Sequence, residues 1–290
     1  MTKLVHQIVE LKKYIKEAKK EGKTIGLVPT MGALHAGHIS LIKAARQKAD
    51  VVVVSVFVNP TQFGVNEDFS KYPRTLDADF EVCKANGADF VFAPNSKEMY
   101  GVDDINKQML SDNYLTYVTP PFSMVDVLCG KSRVGHFDGV AQVVTKLFHI
   151  SECDYAFFGQ KDAQQLIILK KMVKDLNFPL EIIPCPIVRE ESGLALSSRN
   201  TYLSEEGKQR ALVLSQIVNM AKTSFEEKGI DDFNIIKDTA FTMLNDAVEL
   251  EYFEAVDVET LQKVEKLKKG TLIAIAARVE NVRLIDNVII

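Results

Sequence analysis

The sequence lacks the features that mark a membrane or secreted protein. A transmembrane helix needs about 20 consecutive apolar residues, whereas the longest apolar run here covers only residues 51–58 and suits a buried strand. Residues 1–23 contain no apolar core of the signal-peptide kind, and their apolar side chains recur at helical spacing. We therefore expect an amphipathic helix at the amino terminus, no membrane partner and a cytoplasmic location.

Cysteines are few, and basic residues do not outnumber acidic ones. The four cysteines (Cys83, Cys129, Cys153 and Cys185) lie far apart and form no Cys-x-x-Cys pair. This spacing gives neither a zinc site nor a disulfide framework, and it favours reduced thiols. The formal net charge is −4, so the chain has no basic excess of the kind that proteins use to bind nucleic acid. We expect no nucleic-acid partner.

The chain is nevertheless composed like an ordinary globular protein. Its 290 residues are 47% hydrophobic and 26% charged, enough for one large or two modest domains. Up to about residue 187, β-branched apolar runs alternate with helical patterns: strands at 24–29, 51–58, 89–93, 154–158 and 180–184, helices at 39–48, 75–86, 140–149 and 163–176. This alternation predicts a doubly wound, Rossmann-like α/β domain with a parallel sheet.

From residue 188 onward the order of elements changes. Two helical stretches (204–228 and 232–250) precede three strand-like runs at 251–258, 271–279 and 283–289. We therefore predict a Rossmann-like domain over 1–187 and a smaller α+β lid domain over 188–290. The least regular stretch, 95–131, carries glycine, proline and asparagine and is predicted to be a surface connection or a mobile flap.

The segment 29–38 carries the strongest chemical signal. It leaves the first predicted strand and opens the first predicted helix, which is where doubly wound folds bind ligands and where free backbone N–H groups attract phosphate. His35 and His38 are three residues apart, and Gly37 between them lets a flat base or ribose approach the backbone. The glycine fingerprint G-x-G-x-x-G is missing, which disfavours NAD. The alternative is that both histidines only cap the helix.

Two further segments carry candidate phosphate ligands. In 158–165, Lys161 can neutralise phosphate, Asp162 can hold Mg²⁺ through water and Gln165 can face the pocket; a solvated lysine with Asp162 as a helix cap is the alternative. In 196–200, two hydroxyls and the Arg199 guanidinium can close over ATP, although the segment is also typical of an ordinary turn. Gln62, after another strand end, can pair with a hydroxy acid.

The histidine pair with a distant Ser-Ser-Arg loop resembles the nucleotidylyltransferase superfamily of class I aminoacyl-tRNA synthetases. Longer stretches are similar to the pantoate–β-alanine ligase family, and they run from about residue 26 to 286: residues 28–38, 57–63, 72–75, 135–137, 158–162 and 193–200. The departures from the family pattern are small. Ala36, Gln160 and Val134 stand where Asp or Glu, Glu and Pro are common, and the segment 101–115 is longer than expected.

The resemblance implies an enzyme that condenses (R)-pantoate with β-alanine through a pantoyl adenylate, using ATP and Mg²⁺ and releasing AMP and pyrophosphate. It implies a homodimer, His38 in the acid role, pantoate between Gln62 and Gln165, and β-alanine near Gln62. His35, His38, Lys161 and Arg199 would be catalytic, and Asp79 and Asp162 would hold Mg²⁺ through water. The implied ATP contacts are Met31, Gly32, Ala33, Leu34, His35, Ala36, Gly37, His38, Gly159, Gln160, Lys161, Asp162, Val188, Leu196, Ser197, Ser198 and Arg199.

Three other functions compete with this hypothesis. A nucleotidyltransferase of the same fold would join a nucleotide to a phosphate ester and form no amide. A small synthetase relative acting on RNA is disfavoured by the acidic pI near 5.8 and by the lack of a basic domain. A nucleotide-sensing module would bind ATP without turnover. Whether AMP or ADP is released separates these alternatives.

Overall fold

A computed structural model describes residues 1–64, 67–106 and 115–290 of the chain. The larger sheet has six strands, all paired in parallel, in the order β1-β4-β3-β2-β5-β6. The strands are β1 Lys3–Val5, β2 Ile25–Thr30, β3 Val51–Val56, β4 Phe90–Phe92, β5 Tyr155–Gly159 and β6 Glu181–Cys185. The predicted doubly wound sheet is thereby confirmed.

Helices accompany this sheet along the chain and cover its buried strands. They are α1 Ile8–Lys20, α2 Ala36–Lys48, α3 Leu76–Ala85, α4 Ser96–Tyr100, α5 Phe122–Val125, α6 Leu128–Ser132, α7 His136–Ser151 and α8 Ala163–Asp175. The first five residues of β3 are all buried, as expected for a parallel strand covered on both faces. Strand β1 lies at the sheet edge and was missed from the sequence because three residues show no period.

A second, smaller sheet forms near the carboxyl terminus. Its three antiparallel strands, in the order β7-β8-β9, are Glu249–Asp257, Thr271–Val279 and Val282–Ile289. Helices α9 Glu205–Glu226 and α10 Phe233–Met243 contribute to the same hydrophobic core as this sheet. The predicted α+β region is confirmed. The helix predicted over 232–250 was too long, because the chain leaves the helix at Leu244 with an extended backbone conformation.

The predicted domain boundary between residues 187 and 188 stays a prediction. The predicted flap, 95–131, contains α4, α5 and the start of α6, while its residues 107–114 lie outside the described residues. Within the described part of the chain, no helix combines the length and the apolar character needed to cross a bilayer.

The strand order fixes where a ligand can bind. After β2 the chain adds β3 and β4 on one side, and later β5 and β6 on the other. In such sheets the crevice for ligands lies beyond the carboxyl ends of the strands where the order reverses. Here these are β2 and β5, and their carboxyl ends lead into the predicted segments 29–38 and 158–165.

Candidate active site

A cavity of about 220 Å³ lies at this reversal point. The β2–α2 turn, the segment after β3, the start of α8 and the 186–199 segment all contribute to its wall. Of the residues predicted to bind substrates, the structure brings these to the cavity: Met31, His35, Gly37, His38, Gln62, Gly159, Lys161, Asp162, Gln165, Val188, Leu196, Ser197, Ser198 and Arg199.

The two histidines do cap helix α2, as the alternative hypothesis held. The Nδ1 of His35 accepts a hydrogen bond from the Gly37 N–H at 3.1 Å, and the Nδ1 of His38 accepts one from the His35 N–H at 3.3 Å. A neutral imidazole whose Nδ1 accepts must carry its proton on Nε2. Both rings line the cavity, so capping and ligand binding are compatible: each Nδ1 serves the backbone and each Nε2–H remains a donor.

The surroundings keep both rings neutral near pH 7. Burial, together with the nearby Lys161 charge, lowers the pKa of His35 to about 4. Burial, His35 and Lys161 lower the pKa of His38 to about 3. The ring centroids are only 4.2 Å apart, a distance at which two positive charges would repel strongly. The pair therefore offers two adjacent N–H donors without two full charges.

Gly37 is required by the His35 ring. A Cβ at Gly37 would lie 2.8 Å from Cε1 and 3.0 Å from Nδ1 of that ring. The expected role in admitting a flat base stays a prediction, but the structure supplies this independent reason for glycine. A side chain at residue 37 would displace the imidazole that caps the helix.

Asp79 holds the loop before the histidines from behind. Its carboxylate accepts the backbone N–H groups of Ala33 at 3.0 Å and Leu34 at 2.8 Å, and the Thr75 hydroxyl at 3.2 Å. It is 2% exposed and does not line the cavity. These contacts give Asp79 a supporting position behind the loop, and the Mg²⁺ role that the resemblance implies for it stays a prediction.

The same contacts occupy part of the expected phosphate site. Ala33 and Leu34 are among the implied ATP contacts, and Asp79 accepts the backbone N–H groups of both. Gly32 adopts a φ of +86°, and a Cβ there would lie 2.9 Å from the Asp79 carboxylate. Five predicted ATP contacts do not line the cavity: Gly32, Ala33, Leu34, Ala36 and Gln160.

Lys161 and Asp162 leave β5 in a short 3₁₀ turn, Gln160–Asp162. The Lys161 Nζ lies 3.8 Å from an Asp162 oxygen, and its charge contributes to the lowered pKa values of both histidines. Asp162 occupies the cap position of α8 but its side chain makes no capping hydrogen bond. Its carboxylate is half exposed at the cavity wall, so the capping alternative for Asp162 is not what the structure shows.

Gln62 is held in one orientation. Its Oε1 accepts a hydrogen bond from Asn59 Nδ2 at 3.1 Å, and its Nε2 approaches the Met31 sulfur at 3.1 Å. Asn59 is fixed in turn, because its Oδ1 accepts the Tyr100 hydroxyl at 2.8 Å. Asn59 also lines the cavity. By contrast, Gln165 has no hydrogen-bond partner among the described residues, which leaves its whole amide available to a ligand.

Arg199 is paired rather than free. Its guanidinium donates to both oxygens of Asp68, at 2.9 and 2.8 Å. Burial would lower the pKa of Arg199, but the hydrogen bonds and charge of Asp68 raise it above its ordinary value. The neighbouring Ser198 hydroxyl lies 3.1 Å from that of Tyr72. These contacts join the 196–202 segment to the 68–72 segment across the cavity.

Arg133 and His136 also line the cavity, and the sequence interpretation assigned them no role. Arg133 forms a two-bond ion pair with Glu67 at 2.8 and 2.7 Å, and its Nη1 lies 3.0 Å from His136 Nε2. His136 Nδ1 donates to the Gln62 carbonyl at 2.7 Å, and burial followed by the Arg133 charge lowers the His136 pKa to about 3. The i, i+3 spacing of Arg133 and His136 was the sequence feature that could have indicated them.

Metal-binding capacity is limited. Over residues 1–64, 67–106 and 115–290, no group of three or more His, Cys, Asp or Glu side chains is arranged to hold a metal ion. Mg²⁺ in nucleotide sites commonly needs only one or two carboxylates in addition to phosphate oxygens and water. Asp162 meets that requirement as an accessible carboxylate at the cavity, and Asp79 does not. All four cysteines are buried and free.

The chain is similar to known proteins over its whole length. The family model described as pantoate-beta-alanine ligase matches residues 3–289. The pantothenate synthetase of Caldicellulosiruptor saccharolyticus is 47% identical over 99% of both chains. The crystal structure of pantothenate synthetase from Thermus thermophilus superposes with a TM-score of 0.88 at 37% identity, covering 99% of both chains.

A third relative is described with bound ligands. The pantoate-beta-alanine ligase from Francisella tularensis, complexed with beta-gamma ATP and beta-alanine, is 34% identical with a TM-score of 0.77 and covers 100% of this chain and 98% of its own. The family match spans both sheets and all of the segments that surround the cavity. The chain therefore belongs to the pantoate–β-alanine ligase family.

Proposed function

We propose that the protein condenses (R)-pantoate with β-alanine to pantothenate in two steps, through a pantoyl adenylate. The observation that carries this proposal is the cavity at the β2–β5 reversal, where the neutral donors His35 and His38, three cationic side chains and two glutamine amides converge. Groups that suit phosphate and groups that suit a hydroxy acid thus line the same cavity. The family membership supports a ligase over a nucleotidyltransferase that acts on a phosphate ester.

In the first step, a pantoate carboxylate oxygen attacks the α-phosphorus of ATP. The bond from that phosphorus to the bridging oxygen breaks, and pyrophosphate leaves. Such transfers require alignment and stabilisation of charge on the phosphate oxygens more than covalent help. The Nε2–H groups of His35 and His38 would donate to those oxygens, and Lys161 and Arg199 would supply positive charge.

Arg199 must then be shared between Asp68 and the phosphates, because its guanidinium has five N–H donors and Asp68 accepts two of them. When bound, Mg²⁺ would neutralise phosphate charge, and Asp162 is the residue we assign to it, through water. Asp79 would act by keeping the loop before His35 in place.

Gln62 and Gln165 are the residues we assign to pantoate. The Gln62 amide is already oriented by Asn59 and Met31, and Gln165 is unpaired among the described residues. In the second step, the β-alanine amine, near Gln62, attacks the acyl carbon of the adenylate. The bond from that carbon to the phosphate oxygen breaks, AMP leaves, and the nitrogen loses a proton to solvent as the amide forms. We also propose a homodimer, on the family resemblance, and a cytoplasmic location, on the sequence features given above; sedimentation at micromolar concentration tests the former.

Exchange of labelled pyrophosphate into ATP tests the first step. We expect exchange with pantoate and Mg²⁺ present and β-alanine absent, and release of AMP with pantothenate when β-alanine is added. Release of ADP, or exchange that requires β-alanine, would contradict the two-step scheme.

Substitution of the glutamines tests the assignment of pantoate. A neutral hydrogen bond contributes about 0.5–1.5 kcal/mol, and a buried partner left unpaired costs about 1–3 kcal/mol. Gln62→Ala and Gln165→Ala should each raise the KM for pantoate about tenfold or more, with little change for ATP. Gln47→Ala, on the exposed side of α2, is the matched control. Variants defective toward ATP alone would refute the assignment.

A further inference from the structure

The last strand of the chain carries two buried polar side chains next to the active site. Asp286 and Asn287 on β9 are only 3% and 4% exposed. They are surrounded by apolar positions of the small sheet, where an unpaired polar group would be costly. Both residues also line a second cavity, of about 80 Å³, that shares Lys161, Asp162 and Gln165 with the active-site cavity.

Asn287 is bonded to the turn that carries Lys161. Its Nδ2 donates to the Gln160 carbonyl at 3.0 Å and to the Lys161 carbonyl at 2.9 Å. Its Oδ1 lies 3.4 Å from the Gln160 Nε2, which donates to it. Both carbonyls belong to the 3₁₀ turn that leads from β5 into α8, so one side chain of the small sheet fixes the backbone of a turn in the large one.

Asp286 fixes Asn287 in turn. Its Oδ1 accepts the Asn287 backbone N–H at 2.8 Å, and its carboxylate accepts two bonds from Arg189 at 2.6 and 2.9 Å. Arg189 also donates to the Gly193 carbonyl at 3.1 Å. The 189–195 hairpin leads directly to Ser197, Ser198 and Arg199. The two segments with candidate phosphate ligands are therefore both attached to the end of β9.

Few side chains can replace Asn287 in this position. The two carbonyls require two N–H donors from one planar nitrogen, and Gln160 requires an acceptor beside it. Aspartate has the same shape but no donor, and its charge would face two carbonyl oxygens. Leucine has the same branching, with bulkier methyl groups, and pairs with neither carbonyl.

We propose that Asn287 is a positioning residue for Lys161: by holding the Gln160 and Lys161 carbonyls, it sets the lysine ammonium against the phosphates of ATP. The inference rests on the proposed function, because it assigns Lys161 to those phosphates. Displacement of a reacting group by about 1 Å can cost about a hundredfold in rate. Loss of the two bonds should thus lower turnover through Lys161 alone.

The test is a double-mutant cycle on pyrophosphate exchange. Asn287→Leu should lower kcat about tenfold or more, with the KM for pantoate within about twofold of the wild type. In a Lys161→Met background, Asn287→Leu should cause no further loss, because the group that it positions is absent. Multiplicative losses in the double variant would overturn the proposal.

A structural control separates positioning from simple destabilisation. Val282→Ala removes buried methyl groups at the other end of β9, and it should lower the melting temperature without changing kcat. If Asn287→Leu behaves like Val282→Ala, the proposal is wrong. Asn287→Ser, whose single hydroxyl cannot reach both carbonyls, carries the same test if the leucine variant does not fold.

Calorimetric titration with ATP and Mg²⁺ keeps this inference distinct from the proposed function. Absence of exchange in the wild type would refute the ligase assignment but not the positioning of Lys161. In that case, Asn287→Leu should still raise the Kd for ATP about fivefold or more, and should not do so in the Lys161→Met background. An unchanged Kd would overturn the proposal independently of any turnover.

Discussion

Replacing Asp79 by asparagine tests whether this carboxylate supports the loop before His35 or binds the metal. The substitution keeps the shape of the side chain and turns one oxygen into an NH₂ group. That group would face a backbone N–H of Ala33 or Leu34, so a donor would meet a donor. The segment is conformationally demanding, because Gly32 and Ala33 have φ values of +86° and +51°.

The magnitude follows from the contacts that are lost. Hydrogen bonds to a charged group contribute about 1.5–3 kcal/mol each, and a buried donor left unpaired costs about 1–3 kcal/mol. We expect Asp79→Asn to lower the free energy of unfolding by about 3 kcal/mol. For a domain of this size, that corresponds to a fall of about 6–12 °C in Tm. The KM for ATP should rise as the loop relaxes.

Urea unfolding at pH 7 and pyrophosphate exchange over a range of Mg²⁺ concentrations measure the two effects. Asp77→Asn is the matched control, because Asp77 lies in the same first turn of α3, is exposed and undergoes the same change of charge. A variant that keeps wild-type stability but needs much more Mg²⁺ would refute the supporting role and restore Asp79 as a metal ligand.

Three further substitutions test the histidines. His38→Ala should stay folded and lose about a hundredfold or more in kcat, because removal of one preorganised hydrogen-bond donor typically lowers kcat by that factor. An active variant with a lowered Tm would mean that the His38 ring only caps α2. Gly37→Ala should lower kcat about tenfold or more, since the new Cβ would lie 2.8 Å from the His35 ring. Turnover equal to the wild type would show that the ring adapts. His136 has a pKa lowered to about 3, so its contribution to stability is present above pH 6.5 and is lost as the pH falls toward 3. His136→Asn should therefore reduce the slope of unfolding free energy against pH, between pH 6 and 4, by about 1.4 kcal/mol per pH unit. Equal slopes in the variant and the wild type would contradict the buried neutral ring.

The elements that the sequence predicted well were those with a strong period or a long apolar run. The buried run at the start of β3 and the repeated alternation of strand and helix required a parallel sheet, because such strands are hidden on both faces. Strand β1 was missed since three residues at an edge show no period. The helix over 232–250 was drawn too long, because apolar spacing continues past Met243 although the backbone does not.

The candidate site divides in the same way. Residue types and positions in the chain indicated His35, His38, Lys161 and Gln165 as candidate ligand contacts, because phosphate-binding residues commonly lie at the ends of strands and the starts of helices. Their neighbours across the fold were not readable. The carboxylate of Asp79 that occupies the loop amides and the pairing of Arg199 with Asp68 join residues 45 or more positions apart.

What the sequence by itself determined was the kind of sheet, the edge of it at which the cavity lies and the chemical groups offered there, because each depends on local pattern and on the ends of consecutive elements. Only the tertiary structure decided which of those groups remain available. Each Nδ1 of the histidine pair accepts a backbone N–H while both rings line the cavity. Asn287, 126 residues after Lys161, holds the turn that carries the lysine. Hydrogen-bond partners between distant segments are set by packing, which no local pattern contains.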